Sequence, residues 1–400
     1  MSDSRTRRLR AREISSQRFA PYLAGTVAST TGSVATFGVA IAGLSAMGAS
    51  SSQTATALAV MLLGYGVLSI GLSVWLKKPV SVVWSTPGAA FLASSVLLGI
   101  DFAQAVGAFL VSSLLIVITG LWPWLGKLVG KIPPQISAAM LAGVIFPFVV
   151  SSVHATVDYP LLIVPVVLVW LVLNRFFNLW ASPIAISLGF LLIGFSSEAS
   201  DYQSGSFLPD LALVIPQFEI GVILAIGVPL YLITMASQNL PGLAIMSSLG
   251  FPLPVRPVFL ATGLGSAATS LFGGFGLNLA AITAALNADE SAAKDPDRRW
   301  IASSWGGVVY ILFAVFAAPF AAFVLAVPRE LLLALAGIAL LNTFAGSIRT
   351  ALSEDQLRLA AVVTFLIGAA GITVLGIGGA FWALVTGLVI WLFYKPATLK

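Results

Sequence analysis

Apolar runs long enough to cross a bilayer follow one another along almost the whole 400-residue chain, and the connections between them hold nearly all of the charge. A spanning helix needs about 20 predominantly apolar residues. Such runs read near 19–44, 52–76, 102–125, 133–150, 159–177 and 181–197, then near 218–248, 255–272, 300–326, 329–347, 355–371 and 373–394. Charged residues make up only 9% of the chain against 58% hydrophobic ones, far too few to cover a soluble domain. The pattern predicts an all-α polytopic membrane protein.

Two further apolar stretches do not make clean spans. Leu271–Asn287, LFGGFGLNLAAITAALN, is interrupted by Gly273, Gly274 and Gly276, and few apolar residues remain before Asp289 and Glu290. In Pro79–Phe91 the β-branched run Val80-Ser81-Val82-Val83-Trp84 leads into Ser85-Thr86-Pro87-Gly88 and then an apolar helix former run. Both read as broken spans, numbers 3 and 10, each joining a short extended strand to a half-helix. Interrupted segments in matching positions of two halves are the best sequence pointer to a transporter's binding site.

Loop charges give an independent test of this count, because Lys and Arg collect on the cytoplasmic side. With the N-terminus inside, the inner connections hold 19 of the 20 basic residues and only Arg329 lies outside. The arginines of residues 1–18 precede any apolar core, so that segment reads as a cytosolic tail and not as a cleaved signal peptide. Fourteen spans return residues 395–400 to the cytoplasm. The polar stretch Ser196–Pro209 is the junction of two halves, with 19–200 and 217–394 as the repeats and 201–216 as an extracytoplasmic linker.

Pro134–Ile145, PQISAAMLAGVI, and Pro328–Ala339, PRELLLALAGIA, share Pro, Leu, Ala and Gly at one offset of 194, and the broken spans recur at nearly that offset. Seven spans per half is an odd number, so the second copy enters from the opposite side. A seven-plus-seven inverted repeat places its substrate near the midplane, between the discontinuous helices.

The polar residues inside apolar spans are the candidate site. Ser85 or Thr86 suits a helix N-cap and Pro87 the first helical turn, with Gly88 allowing a ligand to approach the free N–H groups. A second helix start near Asn278–Thr283 would face the same point, and together the two termini balance about one negative charge. Thr234, Ser237, Gln238 and Asn239 precede Pro241 in the first span of the second half. Three consecutive side chains cannot share a helix face, so some serve the backbone near Pro241 and others a ligand. The candidate substrate contacts are therefore Ser85, Thr86, Gly88, Ser237, Gln238, Asn239, Asn278 and Thr283, with Thr30, Pro87 and Leu279 as subsidiary ones.

Other functions lack their raw materials. There is no cysteine and one histidine, which removes thiolate chemistry and Cys/His metal sites. No cofactor or metal is expected. The net charge of +5 is spread among loops, so nucleic acid is not a partner. Gly263-Leu-Gly265-Ser-Ala-Ala268 has dinucleotide-site letters but lies in a span, where packing is its role. Ser152, His154 and Asp158 carry hydrolase residue types, in what reads as one short outer loop with no oxyanion framework. Every acidic residue falls in a loop or near a span end, so no intramembrane carboxylate stands out as a proton carrier.

Thr234–Pro257, TMASQNLPGLAIMSSLGFPLPVRP, and Leu271–Ala292, LFGGFGLNLAAITAALNADESA, resemble the benzoate membrane transporter family of benzoate:proton symporters. More distantly, Leu271-Phe272-Gly273-Gly274 and the broken spans resemble the nucleobase/ascorbate and sulfate-type anion transporters. The resemblance implies a core domain (19–125 and 217–326), a gate domain (132–197 and 327–394), a homodimer embedded in lipid and elevator-like movement of the core. It implies proton-coupled uptake of benzoate or a similar small aromatic carboxylate across a bacterial inner membrane. Nucleobase relatives present acidic residues in spans 8 and 10, where this chain has Ser237 and Gln238 and only amides and hydroxyls over Asn278–Thr283. An anion site avoids carboxylates, because like charges repel strongly in a low dielectric. The alternatives are another small anion or a nucleobase on the same fold, separable by competition with substituted benzoates, and a membrane-embedded enzyme, excluded if substrate is recovered unchanged.

Overall fold

The computed structural model describes residues 19–34, 36–95, 99–122, 124–125, 127, 131–196, 209, 211–280, 282–374 and 377–394. The tails 1–18 and 395–400 and most of the linker lie outside these. Among the described residues the chain is helical nearly throughout. In order the elements are α1 (Phe19–Ala46), α2 (Ser51–Leu76), β1 (Val82–Val83), α3 (Thr86–Ser94), α4 (Phe102–Leu121), α5 (Pro134–Asp158), α6 (Pro160–Phe176) and α7 (Asn178–Gly194). There follow α8 (Ile220–Ser248), α9 (Val255–Ser270), β2 (Asn278–Leu279), α10 (Ile282–Ala288), α11 (Trp300–Val315), α12 (Ala317–Leu325) and α13 (Arg329–Ala351). The last elements are α14 (Arg358–Ala370), β3 (Thr373–Val374), β4 (Ile377–Gly378) and α15 (Gly379–Tyr394).

Among the described residues six helices are long and apolar enough to cross a membrane, or seven if the bent pair formed by α11 and α12 counts as one. The bend of 59° has a local cause: the ring of Pro319 excludes the carbonyl of Val315 four residues back, so the helix breaks there. Large side chains such as Leu161 (86% exposed), Phe195 (85%) and Phe393 (83%) point outward, which a lipid surround makes favourable. Helix pairs approach closely through glycine: a Cβ on Gly66 would lie 2.6 Å from the Gly307 carbonyl oxygen, and one on Gly307 2.8 Å from that of Gly66. This seats α2 on α11. Other extensive packings include α5 on α13, α4 on α9 and α5 on α14.

Between these helices β1 and β2 pair antiparallel, Val82 with Leu279 and Val83 with Asn278, extended by the Ala280 N–H donating to the Ser81 carbonyl at 2.9 Å. Two residues per strand give too few bonds to stand alone. Serines supply the rest. Ser69 Oγ accepts from the Val82 N–H at 2.9 Å and Ser73 Oγ from the Val80 N–H at 3.2 Å. On the other side Ser266 Oγ accepts from the Leu277 N–H at 2.6 Å. Gly273 (φ +88°) and Gly276 (φ +123°) turn the chain from α9 into β2, conformations closed to most side chains.

Three local features differ from the sequence reading. Ser152, His154 and Asp158 are not in a loop, because α5 continues to Asp158; Ser152 is buried while His154 is exposed on another face, so the three do not assemble. A two-residue hairpin, β3–β4, precedes α15. Finally, α8 contains two wider π-helical turns, Ile223–Gly227 and Met235–Asn239. Each includes the residue four before a proline, Ala225 before Pro229 and Ser237 before Pro241, where the ring would clash with a regular helix carbonyl.

Candidate functional site

A cavity of about 880 Å³ opens where the two strands end. On one side it is walled by α1 (Thr31, Gly32, Thr36), Tyr65 of α2, Trp84 and the start of α3 (Thr86, Pro87), α8 (Ser237, Gln238), Thr283 of α10 and Tyr310 of α11. On the other side lie α5 (Ser137, Met140), α7 (Ser182, Pro183) and α13 (Ser347, Arg349, Thr350).

Of the residues expected from sequence, Thr86, Pro87, Ser237, Gln238 and Thr283 line this cavity. Ser85, Gly88, Asn239, Asn278, Leu279 and Thr30 are not among its lining residues. Ser85 is the N-cap of α3 and spends its Oγ on the Gly88 N–H at 3.0 Å; Pro87 has no N–H, so few donors of this helix start remain. Gly88 is instead a packing position, since a Cβ there would lie 2.8 Å from Leu230 Cδ1. Asn239 is fully buried and its Oδ1 accepts from the Leu279 N–H at 3.0 Å. Asn278 is also fully buried, donating to the Leu279 carbonyl at 2.9 Å. The three polar neighbours on α8 thus divide as their spacing requires: Ser237 and Gln238 toward the cavity, Asn239 toward β2. Ser237 Oγ donates to the Ile233 carbonyl at 2.6 Å.

The aromatic wall was not legible as a site. Tyr65 packs edge-to-face on Trp84 (5.3 Å between ring centres) and on Tyr310 (5.7 Å), and Trp84 continues to Phe37 at 5.4 Å. Trp84 Nε1 donates to Thr36 Oγ1 at 2.9 Å, and that hydroxyl donates to the Gly32 carbonyl at 2.8 Å. Ser29 and Thr283 flank the Tyr310 hydroxyl. The hydroxyl oxygens of Tyr65 and Thr31 are likewise buried, that of Tyr65 beside the Trp84 backbone.

Electrostatically the lining is neutral except for Arg349 at the end of α13; no acidic residue or histidine lines it among the described residues. No cluster of three His, Asp or Glu suited to a metal occurs among them either. Behind the site, Arg299 is buried and grips the C-terminal end of α10, donating from Nη1 to the Ala288 carbonyl at 2.8 Å and from Nε to that of Ala293 at 2.9 Å. A cation there complements the negative end of the short helix. In the adjoining loop the Ser291 N–H donates to Asp289 at 2.8 Å and holds that carboxyl below its usual pKa. Flat aromatic walls, amides and hydroxyls without carboxylates suit a small flat solute with a negatively charged polar end.

Comparison with known proteins agrees with this chemistry. The sequence profile of the family described as "Benzoate membrane transport protein" matches residues 16–393. The chain is 36% identical over 342 residues to "Inner membrane protein YdcO" of Escherichia coli, covering 85% of this chain and 87% of that one. It is 33% identical over 339 residues to "Benzoate membrane transport protein" of Acinetobacter baylyi, covering 84% and 85%. Its fold is similar to the transmembrane domain of the cyanobacterial bicarbonate transporter BicA (TM-score 0.61, 17% identity, 92% of this chain and 98% of that one). It is also similar to murine Slc26a9, an anion transporter in its inward-facing state (TM-score 0.51, 10% identity, 90% and 68%).

Proposed function

Because the chain belongs to the benzoate membrane transport protein family, a family of membrane transporters and not of enzymes, we propose that it imports a small aromatic carboxylate, benzoate or a close analogue, together with a proton. The observation that carries this reading is the cavity, whose wall combines Trp84, Tyr65 and Tyr310 with hydroxyl and amide groups and no carboxylate. Ring faces contact the substrate ring, and Thr86, Thr283, Ser237 and Gln238 surround it. Moving a bare anion into a negative interior costs about 2.3 kcal/mol per 100 mV. One accompanying proton removes that cost.

The architecture proposed with this function is the fourteen-span inverted repeat. Its support is geometric. The strands Val82–Val83 and Asn278–Leu279 pair antiparallel, and Thr86 and Thr283, each near the start of the half-helix that follows its strand, both lie on the cavity wall. The packing of α2 on α11 and of α4 on α9 is what one contact becomes when spans 2 and 4 are exchanged for their counterparts 9 and 11. The cavity lies between the proposed core (19–125, 217–326) and gate (132–197, 327–394), as an elevator-like carrier requires. It reaches Ile132, Arg349 and Thr350, beside connections whose Lys131 and Arg358 assign them to the cytoplasm, which supports an inward-open arrangement. A homodimer in the bacterial inner membrane with both termini inside completes the proposal.

Uptake of labelled benzoate into proteoliposomes, with a pH gradient and a membrane potential imposed separately, tests it. Accumulation driven by an inward proton gradient and indifferent to potential is the expected result. No protein-dependent uptake under either gradient, in vesicles holding folded protein, overturns the substrate assignment.

A further inference from the structure

Toward its C-terminal end α13 turns Asn342, Thr343, Gly346, Ser347, Arg349 and Thr350 to the cavity. They recur every three or four positions and so share one face of the helix, about 12 Å long at 1.5 Å per residue. The other glycine of α13 is a packing position: a Cβ on Gly337 would lie 2.0 Å from the Phe148 carbonyl oxygen of α5. Gly346 is not. A Cβ there would meet no atom within 4 Å, although glycine inside a helix is less stable than alanine. Neither a turn nor a close approach asks for it, and what its missing side chain leaves is space on the cavity face.

Arg349, one turn further along that face, is exposed and is the one charged residue among the described cavity lining. It therefore stands at the mouth. A cation in the last turn of a helix complements the helix dipole, which explains an arginine anywhere around that turn. It does not explain one on the cavity face with no acidic partner. The acids that follow in the chain are engaged elsewhere: Glu354 accepts from Gln135 Nε2 at 3.1 Å, and Asp355 is paired with Arg358. Among the described residues no carboxylate forms a salt bridge with Arg349.

We propose that Arg349 selects anions at the cavity mouth, and that the α13 face beside it, open at Gly346, is the track along which an aromatic carboxylate passes between the mouth and the aromatic wall. The planar guanidinium matches a carboxylate with two parallel hydrogen bonds, and the gap at Gly346 admits the flat ring. Low-dielectric walls focus the field of a charge into a cleft, so an anion gains from Arg349 where an uncharged ring of the same size does not. This assignment rests on the proposal that an aromatic carboxylate is the substrate.

The test uses the purified full-length protein. In detergent, benzoate is titrated calorimetrically into wild type, Arg349→Gln and Arg349→Lys at low and at high salt. Arg349→Gln is expected to bind about fivefold more weakly at low salt, the upper worth of one exposed ion pair, with an unchanged melting temperature. High salt screens the charge and should bring wild type down to the same affinity, while Arg349→Lys keeps most of the wild-type affinity and its salt dependence. In proteoliposomes, Gly346→Leu is expected to exchange labelled benzoate severalfold more slowly while melting no lower than wild type. Arg349→Gln that matches wild type in affinity and in salt dependence overturns the arginine assignment, and Gly346→Leu that exchanges at the wild-type rate overturns the track; either result leaves the substrate reading standing. Wild-type protein that binds no benzoate overturns the substrate reading and this assignment with it.

Discussion

Asn239 and Leu279 are joined across 40 positions by one hydrogen bond, the side-chain carbonyl of the first accepting the backbone N–H of the second at 3.0 Å. The bond ties the π-helical turn of α8 to β2 while the adjoining Gln238 faces the cavity. Asn239→Ala therefore leaves a buried N–H without an acceptor, at a cost of about 1–3 kcal/mol, seen as a lower melting temperature. Gln238→Ala should melt like wild type and raise the KM for benzoate uptake. Equal melting temperatures for wild type and Asn239→Ala would sink the tether.

Gly32 offers a way to narrow the chamber without unfolding it. A methyl group there meets Thr283 Oγ1 at 3.3 Å and the Tyr310 hydroxyl at 3.9 Å, a fit needing shifts of a few tenths of an ångström. Gly32→Ala is expected to keep its melting temperature and weaken benzoate binding severalfold. Binding as tight as wild type would mean that substrate sits elsewhere in the cavity.

Arg299 ties the end of α10 to the loop that follows it by two charge-assisted hydrogen bonds, to the Ala288 and Ala293 carbonyls. Hydrogen bonds to charged groups contribute about 1.5–3 kcal/mol each, so Arg299→Leu should yield markedly less folded protein by size-exclusion chromatography. Arg299→Lys should recover part of the loss at most, because a single ammonium lacks the planar fork that reaches both carbonyls. Full recovery with lysine would show that charge alone matters.

Trp84 and Thr36 should be energetically coupled through the 2.9 Å bond from the indole N–H. In a double-mutant cycle of Trp84→Phe and Thr36→Val, the interaction energy is expected near 1 kcal/mol. Additive effects on denaturant stability would show that only ring packing counts.

The absence of cysteine from the sequence makes single-cysteine labelling direct. A thiol introduced by Gln238→Cys should react with a membrane-impermeant maleimide from the cytoplasmic face of inside-out vesicles, and saturating benzoate should slow the reaction severalfold. Labelling only from the outer face would contradict the inward-open arrangement.

The sequence exposed the stretches that cost something in an apolar span, of which Thr86, Pro87, Ser237 and Gln238 line the cavity. Ser-Thr-Pro-Gly at 85–88, Ser237-Gln238-Asn239 and the glycines at 273, 274 and 276 all stand out because a lipid-facing helix has no use for them. What sequence could not assign was which way each points, since the π-helical turn that rotates Gln238 and Asn239 apart depends on how the chain accommodates Pro241. Tyr65 and Tyr310 were invisible for the opposite reason. Within LGYGVLS and GVVYILF a tyrosine reads as one more core ring, and only packing reveals that it borders an open chamber. Polarity reads Ser152, His154 and Asp158 as a loop, whereas α5 continues to Asp158 with Ser152 and Ala155 on its buried face, packing overriding the low helix propensity of this Val-, Ser- and Thr-rich stretch.

The pairing of β1 with β2 also sets a timetable for biogenesis. The Ser81 carbonyl receives its hydrogen bond from Ala280, a residue the ribosome adds about 200 positions later, which at roughly 5–20 residues per second means a wait of about 10–40 s. Ser69 and Ser73 precede β1 in the chain and satisfy the Val82 and Val80 N–H groups from the outset. These two N–H groups thus have partners within the preceding helix that do not wait for the second half of the chain.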